Sequence, residues 1–255
     1  MKHIVCSHLS RHLSANSIMI TPLQHDFQRG LSCDTLSFTN GLRFSIFAVK
    51  SNFIFLDFAK AFYSMPQARL PLKAHHYGIR GKLNEWLRDI LSDCWQHVVV
   101  NGPCSDWSNV WSGVPQDTVL GPVLFLLYIN DVLTGISSKV GLFADDTVLF
   151  WQLCCPDDHH RLQHDLHQLE QWAAKWQMRL APTKCFVLSV TLHTNSLHFS
   201  YWLCDTGLDE FKYYKYLSAF SVIDAPSVNH FKASIVLNKC YFVIFLFLLA
   251  ACVTC

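Results

Sequence analysis

The chain has 255 residues, 51% of them hydrophobic, and a formal net charge of +1 at neutral pH. That length and apolar content allow a sizeable core, in one large or two small domains, and exclude a disordered chain. The near-neutral total gives no global sign of a polyanionic partner, yet residues 1–90 carry 11 Lys/Arg against 5 Asp/Glu while residues 91–180 carry 4 against 10. A basic first third beside an acidic middle fits a polyanion-binding surface next to a cation-binding site, although charge on solvated faces is the commoner cause of such a split.

Met1–Ser10 lacks an apolar signal core, so an intracellular protein, nuclear or cytoplasmic, is expected. The 11 cysteines show no framework spacing; Cys154 and Cys155 are adjacent and the one C-x-x-C is Cys252/Cys255, which reads as reduced thiols. Residues 3–13 predict a short amphipathic helix with Ile4, Val5, Leu9 and Leu13 on one side. A polar loop over Gln24–Gly30 follows, then a turn at Asn40-Gly41. Phe53–Phe58 is an apolar run broken by one acid, Asp57, and predicts a buried central strand. An acid inside such a run is costly unless it is paired or metal-bound. Leu83, Trp86, Leu87, Ile90 and Leu91 have helical spacing, His97–Asn101 and Ser108–Trp111 read as strands joined around Gly102-Pro103, and Val119–Leu133 as a buried helix.

Val140–Phe150 alternates apolar residues on either side of Asp145-Asp146, the pattern of a β-hairpin with the acid pair at its tip. Taken alone, that pair reads as a solvated turn. Pro156-Asp157 opens a helix with Asp157 as N-cap and a core stripe of Leu162, Leu166, Leu169, Ala173 and Trp176. His160, His164 and His167 share one face of that helix and read as solvated rather than as metal ligands. Pro182 is expected to stop the helix, and Cys185–Thr191 to form another strand. This order describes an α+β layer in which helices cover one face of a mainly antiparallel sheet.

A strand acid followed later by a hairpin acid pair suits two-metal phosphoryl transfer, in which carboxylates hold two divalent ions about 3.5–4 Å apart. Leu56-Asp57-Phe58-Ala59-Lys60-Ala61-Phe62, Ser112-Gly113-Val114-Pro115-Gln116, Leu120-Gly121-Pro122 and Phe143-Ala144-Asp145-Asp146-Thr147 closely resemble the ordered motifs of reverse transcriptases, in particular those of non-LTR, jockey-like retrotransposons. His76–Gly81, Val99–Gly102 and Leu127–Asp131 also look like that group, and the similarity runs from about His3 to about Ser221. The resemblance implies that Asp57 and Asp145 are the principal Mg²⁺ ligands, with Asp146 the third acid. It further implies that Phe62 lies beneath the incoming sugar, Gln116 touches the incoming nucleotide, and Arg29 belongs to a segment meeting the triphosphate. Lys184 matches the lysine that protonates the leaving pyrophosphate. Two Mg²⁺ ions, an RNA template, a DNA primer and dNTPs are the implied cofactor and partners, with no obligate protein partner.

The implied fold class is α+β, a right-hand polymerase palm with partial fingers and no complete thumb. Residues 1–50 would be partial fingers, 51–192 palm with fingers helices inserted at about 66–100, 193–225 a primer-grip-like region, and 226–255 a divergent apolar tail. The sequence also departs from the family. Tyr63 stands where Asp is usual, Asp117 and Asp26 where Gly is usual, Gln28 where Arg is usual, and Ser218 where the primer-grip turn has Gly. The interval from Cys33 to Asp57 looks short, Pro71 is expected to break a family helix, and no endonuclease domain is expected ahead of this unit. Residues 241–251 are too few for a bilayer span of about 20 residues, so membrane association is not expected. The expectation is a degenerate copy with weak or lost activity. An inactive nucleic-acid-binding relic and a non-functional, membrane-associated fragment stay open as alternatives.

Overall fold

A computed structural model describes residues 2–15, 21–27, 50–92, 94–101, 103–115, 118–155, 157–190 and 198–211, together with strands at 213–216, 219–222, 232–237 and 242–247. In chain order the elements are α1 (Lys2–Ala15), β1 (Ser51–Leu56), α2 (Ala61–Ser64), α3 (Leu70–His76), α4 (Gly81–Leu91), β2 (Trp95–Gln96), β3 (Ser108–Asn109) and α5 (Leu120–Ile129). There follow β4 (Lys139–Phe143), β5 (Asp146–Gln152), α6 (Asp158–Trp176), β6 (Phe186–Val190), β7 (Trp202–Leu203), β8 (Thr206–Gly207), β9 (Asp209–Phe211) and β10 to β13 (Tyr213–Tyr216, Ala219–Val222, Lys232–Leu237, Phe242–Phe247). The chain divides into two compact units. One holds Met1–Pro22, Phe58–Thr134 and Gln171–Arg179; the other holds Leu23–Asp57, Gly135–Glu170 and Leu180–Cys255.

The second unit is built on a five-stranded sheet in the order β4-β5-β1-β6-β9, antiparallel except for the β6–β9 pair. β1 is central, as its unbroken apolar run predicts, and both of its faces are covered: Phe53 and Leu56 are nearly buried and Ile54 wholly so. In register Phe53 lies opposite Phe150 and Leu188, and Phe55 opposite Val148 and Phe186. These residues share one face, where the Phe53 and Phe150 rings stack 5.4 Å apart and those of Phe55 and Phe186 4.7 Å apart. Ile54, Leu149 and Val187 line the opposite face. Leu162, Leu166 and Leu169 of α6 are buried, so the three–four stripe is core, and His160, His164 and His167 are exposed, with His167 3.2 Å from Glu170. A separate sheet joins β10 to β13 in sequence order. It takes Phe242–Phe247 of the apolar tail as a strand, and among the described residues no helix is long and apolar enough to cross a membrane.

The first unit is helical. Leu9 and Leu13 of α1 are buried, as the amphipathic pattern predicts, and α5 is apolar on every side and buried along most of its length. Gly121 of α5 is dictated by crowding: a Cβ there would stand 2.6 Å from the Pro115 carbonyl oxygen. Gly113 has φ +91° and lies against the Phe62 and Tyr63 carbonyls, so both glycines of the matched motifs have a steric reason. An ion pair between a buried lysine and a half-buried acid ties α3 to the turn after α5. Lys73, 2% exposed, donates to the Tyr128 carbonyl and pairs with Asp131, and its Nζ lies 3.9 Å over the Trp176 ring.

Several expectations are corrected. Pro71 does not break a helix; it lies in the first turn of α3, where a missing N–H removes no intrahelical bond. α5 stops at Ile129 rather than Leu133, because the chain turns with Val132 N–H donating to Ile129 and Thr134 N–H to Asp131. α6 ends at Trp176, six residues before Pro182, with Gln177 at φ +57° closing it in the left-handed conformation. The carboxylate that takes backbone N–H groups at its start is that of Asp158, from Cys154 at 2.8 Å and Cys155 at 2.9 Å, one residue beyond the expected Asp157. The hairpin near residue 100 exists, but its ladder is Trp95–Gln96 against Ser108–Asn109, with a single Val99–Cys104 bridge inside it. The Asn40-Gly41 turn, Gln28, the Cys33-side interval and Ser218 lie outside the described residues.

Candidate active site

Asp57 stands immediately past the end of β1 rather than within it. Leu56 pairs with Thr147, so the next step of the same antiparallel register brings Asp57 beside Asp146, the first residue of β5. Asp146 is in turn the partner of Phe143 across the hairpin, which leaves Ala144 and Asp145 as a two-residue turn. Such turns require a positive φ at their first central residue, and Ala144 supplies it at φ +51°. The three acids thus collect at one end of the sheet, on neighbouring strands. Asp57 and Asp146 share the face of the phenylalanine cluster by the period of two.

The backbone of Asp57 is fixed on both sides. Its C=O accepts from Ala181 N–H at 2.9 Å, and its N–H points at the Cys185 sulfur at 3.4 Å. Cys185 is buried, which pushes its thiol up to about 11, so it acts as a neutral spacer under the acid and not as a nucleophile. Lys184, at the end of the 3₁₀ turn Pro182–Lys184, donates to Asp57 Oδ2 at 2.8 Å. A cavity of about 240 Å³ opens here, lined by Asp57, Asp146, Lys184, Asp209 and the aromatic floor of Phe55 and Phe186.

Crowding of like charges shapes the electrostatics. Burial, then the Asp145 and Asp57 charges, push Asp146 up to about 7. Asp145 is raised too, by burial first and then by Asp57. The Lys184 ammonium moves the other way: its hydrogen bond and charge contact with Asp57 raise it. Asp26, one of the family departures, adds a fourth carboxylate. It is raised by burial first and also by the charge of Asp145.

Among the described residues no three His, Cys, Asp or Glu side chains converge on one point as ligands, and one Asp57 oxygen is taken by Lys184. The donor chemistry nonetheless fits a hard divalent cation: carboxylate oxygens only, crowded enough that two of the three acids resist ionisation until a positive charge offsets them.

Of the other sequence-predicted residues, Phe62 lies in α2 within the first unit, its ring stacked 4.2 Å from Phe125 and its carbonyl accepting from Val114 N–H at 2.9 Å. Tyr63 is exposed. Arg29, Gln116 and Asp117 lie outside the described residues.

Sequence reasoning missed Gln24. It read the segment as a polar loop, whereas Gln24 is 1% exposed and its side chain reaches the acid-bearing turn, donating to Ala144 C=O at 3.0 Å and accepting from Ala144 N–H at 2.9 Å. Leu23 and His25 exchange backbone bonds with Leu142 beside it, Leu142 N–H to Leu23 at 3.1 Å and His25 N–H to Leu142 at 3.0 Å. No local signal marks such a residue, since its partners are 120 positions away in sequence.

The chain is 28% identical over 150 residues to the RNA-directed DNA polymerase from mobile element jockey of Drosophila funebris, covering 54% of this chain and 16% of that protein. It is 30% identical over 154 residues to the probable RNA-directed DNA polymerase from transposon X-element of Drosophila melanogaster, again over 54% of this chain and 16% of the relative. The chain therefore spans about one-sixth of the length of these curated relatives. Among solved structures, telomerase from Candida tropicalis superposes with a TM-score of 0.56 at 13% identity, over 76% of this chain and 35% of that one, which shows a common α+β, palm-like fold. The family described as reverse transcriptase (RNA-dependent DNA polymerase) matches residues 1–217; the chain belongs to that family, and its relatives place it among those of non-LTR retrotransposons.

Proposed function

We propose that the chain is the palm-centred part of an RNA-directed DNA polymerase whose activity is weak or lost. The observation that supports the reading best is the gathering of Asp57, Asp145 and Asp146 at one sheet end with Lys184 against them. In the reaction the primer 3′-oxygen forms a bond to the α-phosphorus of a dNTP, the bond to the β-phosphate oxygen breaks, and pyrophosphate leaves. Two Mg²⁺ ions, when bound, supply the positive charge that lowers the pKa of the attacking hydroxyl and offsets charge on the leaving group. Asp57 and Asp145 would hold them, with Asp146 as third acid. Lys184, beside Asp57 and largely exposed, would give a proton to the leaving pyrophosphate. Phe62, Gln116 and Arg29 are assigned to the incoming nucleotide by their motifs, and the partners are an RNA template, a DNA primer and dNTPs inside the cell. Residues 51–192 are read as palm, 1–50 and about 66–100 as fingers, 193–225 as primer grip and 226–255 as a divergent tail.

Primer extension by the purified chain on a homopolymer RNA template, with Mg²⁺ and the Asp145→Asn variant as control, tests the proposal. Weak extension that vanishes in the variant supports it. Extension that the variant leaves intact would refute the site.

A further inference from the structure

We infer that Gln24 is a positioning residue of the polymerase site, a side-chain clamp that fixes the Ala144–Asp145 turn and through it the two hairpin carboxylates. The inference rests on the reading of Asp145 and Asp146 as catalytic acids, and concerns what holds them.

A two-residue turn with Ala at its first position is a weak turn by itself. Ala144 must adopt φ +51°, a region that a Cβ disfavours and that Gly would enter freely. Ala144 is also mostly buried, so its backbone N–H and C=O need partners other than water. Gln24 supplies both. Its amide nitrogen donates to Ala144 C=O at 3.0 Å and its amide oxygen accepts from Ala144 N–H at 2.9 Å, in the manner of a paired strand residue. The same oxygen accepts from Asp26 N–H at 3.1 Å, so the amide is held from its own side of the contact as well. The two backbone bonds between Leu142 and the Leu23–His25 segment make the clamp the last rung of a short parallel ladder.

A side chain is needed at this rung because β4 ends at Phe143 and the chain then reverses. An amide of Gln's length, with an NH₂ donor and a carbonyl acceptor side by side on a planar head, reproduces a peptide partner there. Glu cannot donate, and Met of similar length makes neither bond. The turn conformation sets the direction of Asp145 and the start of β5 at Asp146. Loss of the clamp therefore changes the geometry of both carboxylates without touching either.

The test uses the purified full chain as wild type, Gln24→Met, and Gln24→Met combined with Ala144→Gly. Amide exchange by NMR and Mn²⁺ titration by EPR are the readouts, neither of which needs polymerase activity. In the wild type the Ala144 amide should be protected. In Gln24→Met its exchange should accelerate at least about tenfold while Ile54 and Leu149 in the sheet stay protected, the signature of local rather than global opening. Mn²⁺ binding should weaken by about tenfold in the same variant and recover in part when Ala144→Gly removes the left-handed penalty. A residue that merely fills space would not be rescued at a neighbouring backbone position. An unprotected Ala144 amide in the wild type overturns the inference, and that measurement stands even if Gln24→Met fails to fold. Unchanged Mn²⁺ affinity in a folded Gln24→Met also overturns it, as does absence of any rescue. If the wild type binds no Mn²⁺ at all, the metal-site reading fails, and the amide exchange still decides whether the clamp exists.

Discussion

The Nζ atom of Lys184 lies 2.8 Å from Oδ2 of Asp57, so a divalent cation bound through that oxygen would have to displace the ammonium. Lys184 is 62% exposed, so the pair is a solvent-screened one worth at most about 1 kcal/mol to the fold. Lys184→Gln should therefore change the urea midpoint little while it frees the Asp57 carboxylate, so Mn²⁺ binding tightens. Loss of the ammonium should at the same time slow any nucleotidyl transfer, because no proton donor replaces it. Weaker Mn²⁺ binding in Lys184→Gln, measured by titration, would show that the lysine assists the cation site instead of competing for it.

The acid cluster makes stability depend on pH in a direction opposite to that of an ordinary salt-bridged carboxylate. Asp146 titrates near 7 in the folded chain but near the usual 3.8 when unfolded. Between those values the folded state binds the proton that the unfolded state has released, so stability falls as pH rises from about 4 to about 7 and is flat for this group above that. Asp145 and Asp26 are raised as well and add to the same slope. Urea denaturation at pH 5 and pH 8 should show the chain more stable at pH 5 as far as this cluster is concerned. Asp146→Asn should reduce the difference, and millimolar Mg²⁺ should reduce it by stabilising the ionised cluster at pH 8. A difference between the two pH values that is identical in wild type and Asp146→Asn would contradict the assigned cause.

Lys73 gives a prediction confined to the helical unit. Burial pulls its ammonium down to about 8 even though Asp131 pairs with it. Its charge is tolerated because the Tyr128 carbonyl and the Tyr128, Trp172 and Trp176 rings surround it. Lys73→Met should destabilise the chain by on the order of 2–3 kcal/mol, since it leaves the half-buried Asp131 carboxylate with the Trp172 indole N–H but without its ammonium partner. Adding Asp131→Leu should recover part of that loss, because removing both members of a pair with one buried partner is milder than removing one. Chemical denaturation of the two variants decides the point: equal destabilisation by single and double variants would show that packing, not charge, holds this contact.

The parts of this molecule that sequence disclosed are those with a period. The run around Asp57 and the alternation around Asp145-Asp146 specify two strands, and a shift of one residue would bury the wrong set, so the meeting of the acids followed from patterning. The three–four spacing of Leu162, Leu166 and Leu169 likewise marked a core helix. What stayed hidden has no period. Gln24 and Lys73 are polar residues whose burial is created by partners far along the chain, and nothing local distinguishes them from solvated neighbours. Composition alone marks Pro71 and Pro182 as breakers, but a proline acts through its position in the turn. Pro71 lies in the first turn of a helix, and α6 ends at Trp176, with the left-handed Gln177 after it, well before Pro182.

The last prediction concerns activity and follows from the contrast between acids that gather as the family requires and a motif residue that does not match it. Asp57, Asp145 and Asp146 are all present, so the chemical step lacks no carboxylate. Asp117, which lies outside the described residues, stands directly after Gln116, the residue whose motif assigns it to the incoming nucleotide, at a position where Gly is usual in the family it resembles. A like charge about 4 Å from a triphosphate oxygen costs about 1–4 kcal/mol, depending on screening. Each 1.36 kcal/mol is about tenfold in rate, so this one substitution would remove roughly one to three orders of magnitude. Positioning supplies most of the catalysis in phosphoryl transfer, so the loss should appear in kcat as well as in KM for the dNTP. Asp117→Gly should therefore raise extension above that of the unmodified chain, and Asp145→Asn should abolish it in either background. Single-nucleotide incorporation on a homopolymer RNA template measures both. Vigorous incorporation by the unmodified chain that Asp117→Gly does not improve would show that the added carboxylate is harmless, and with it the degeneracy argument would fall.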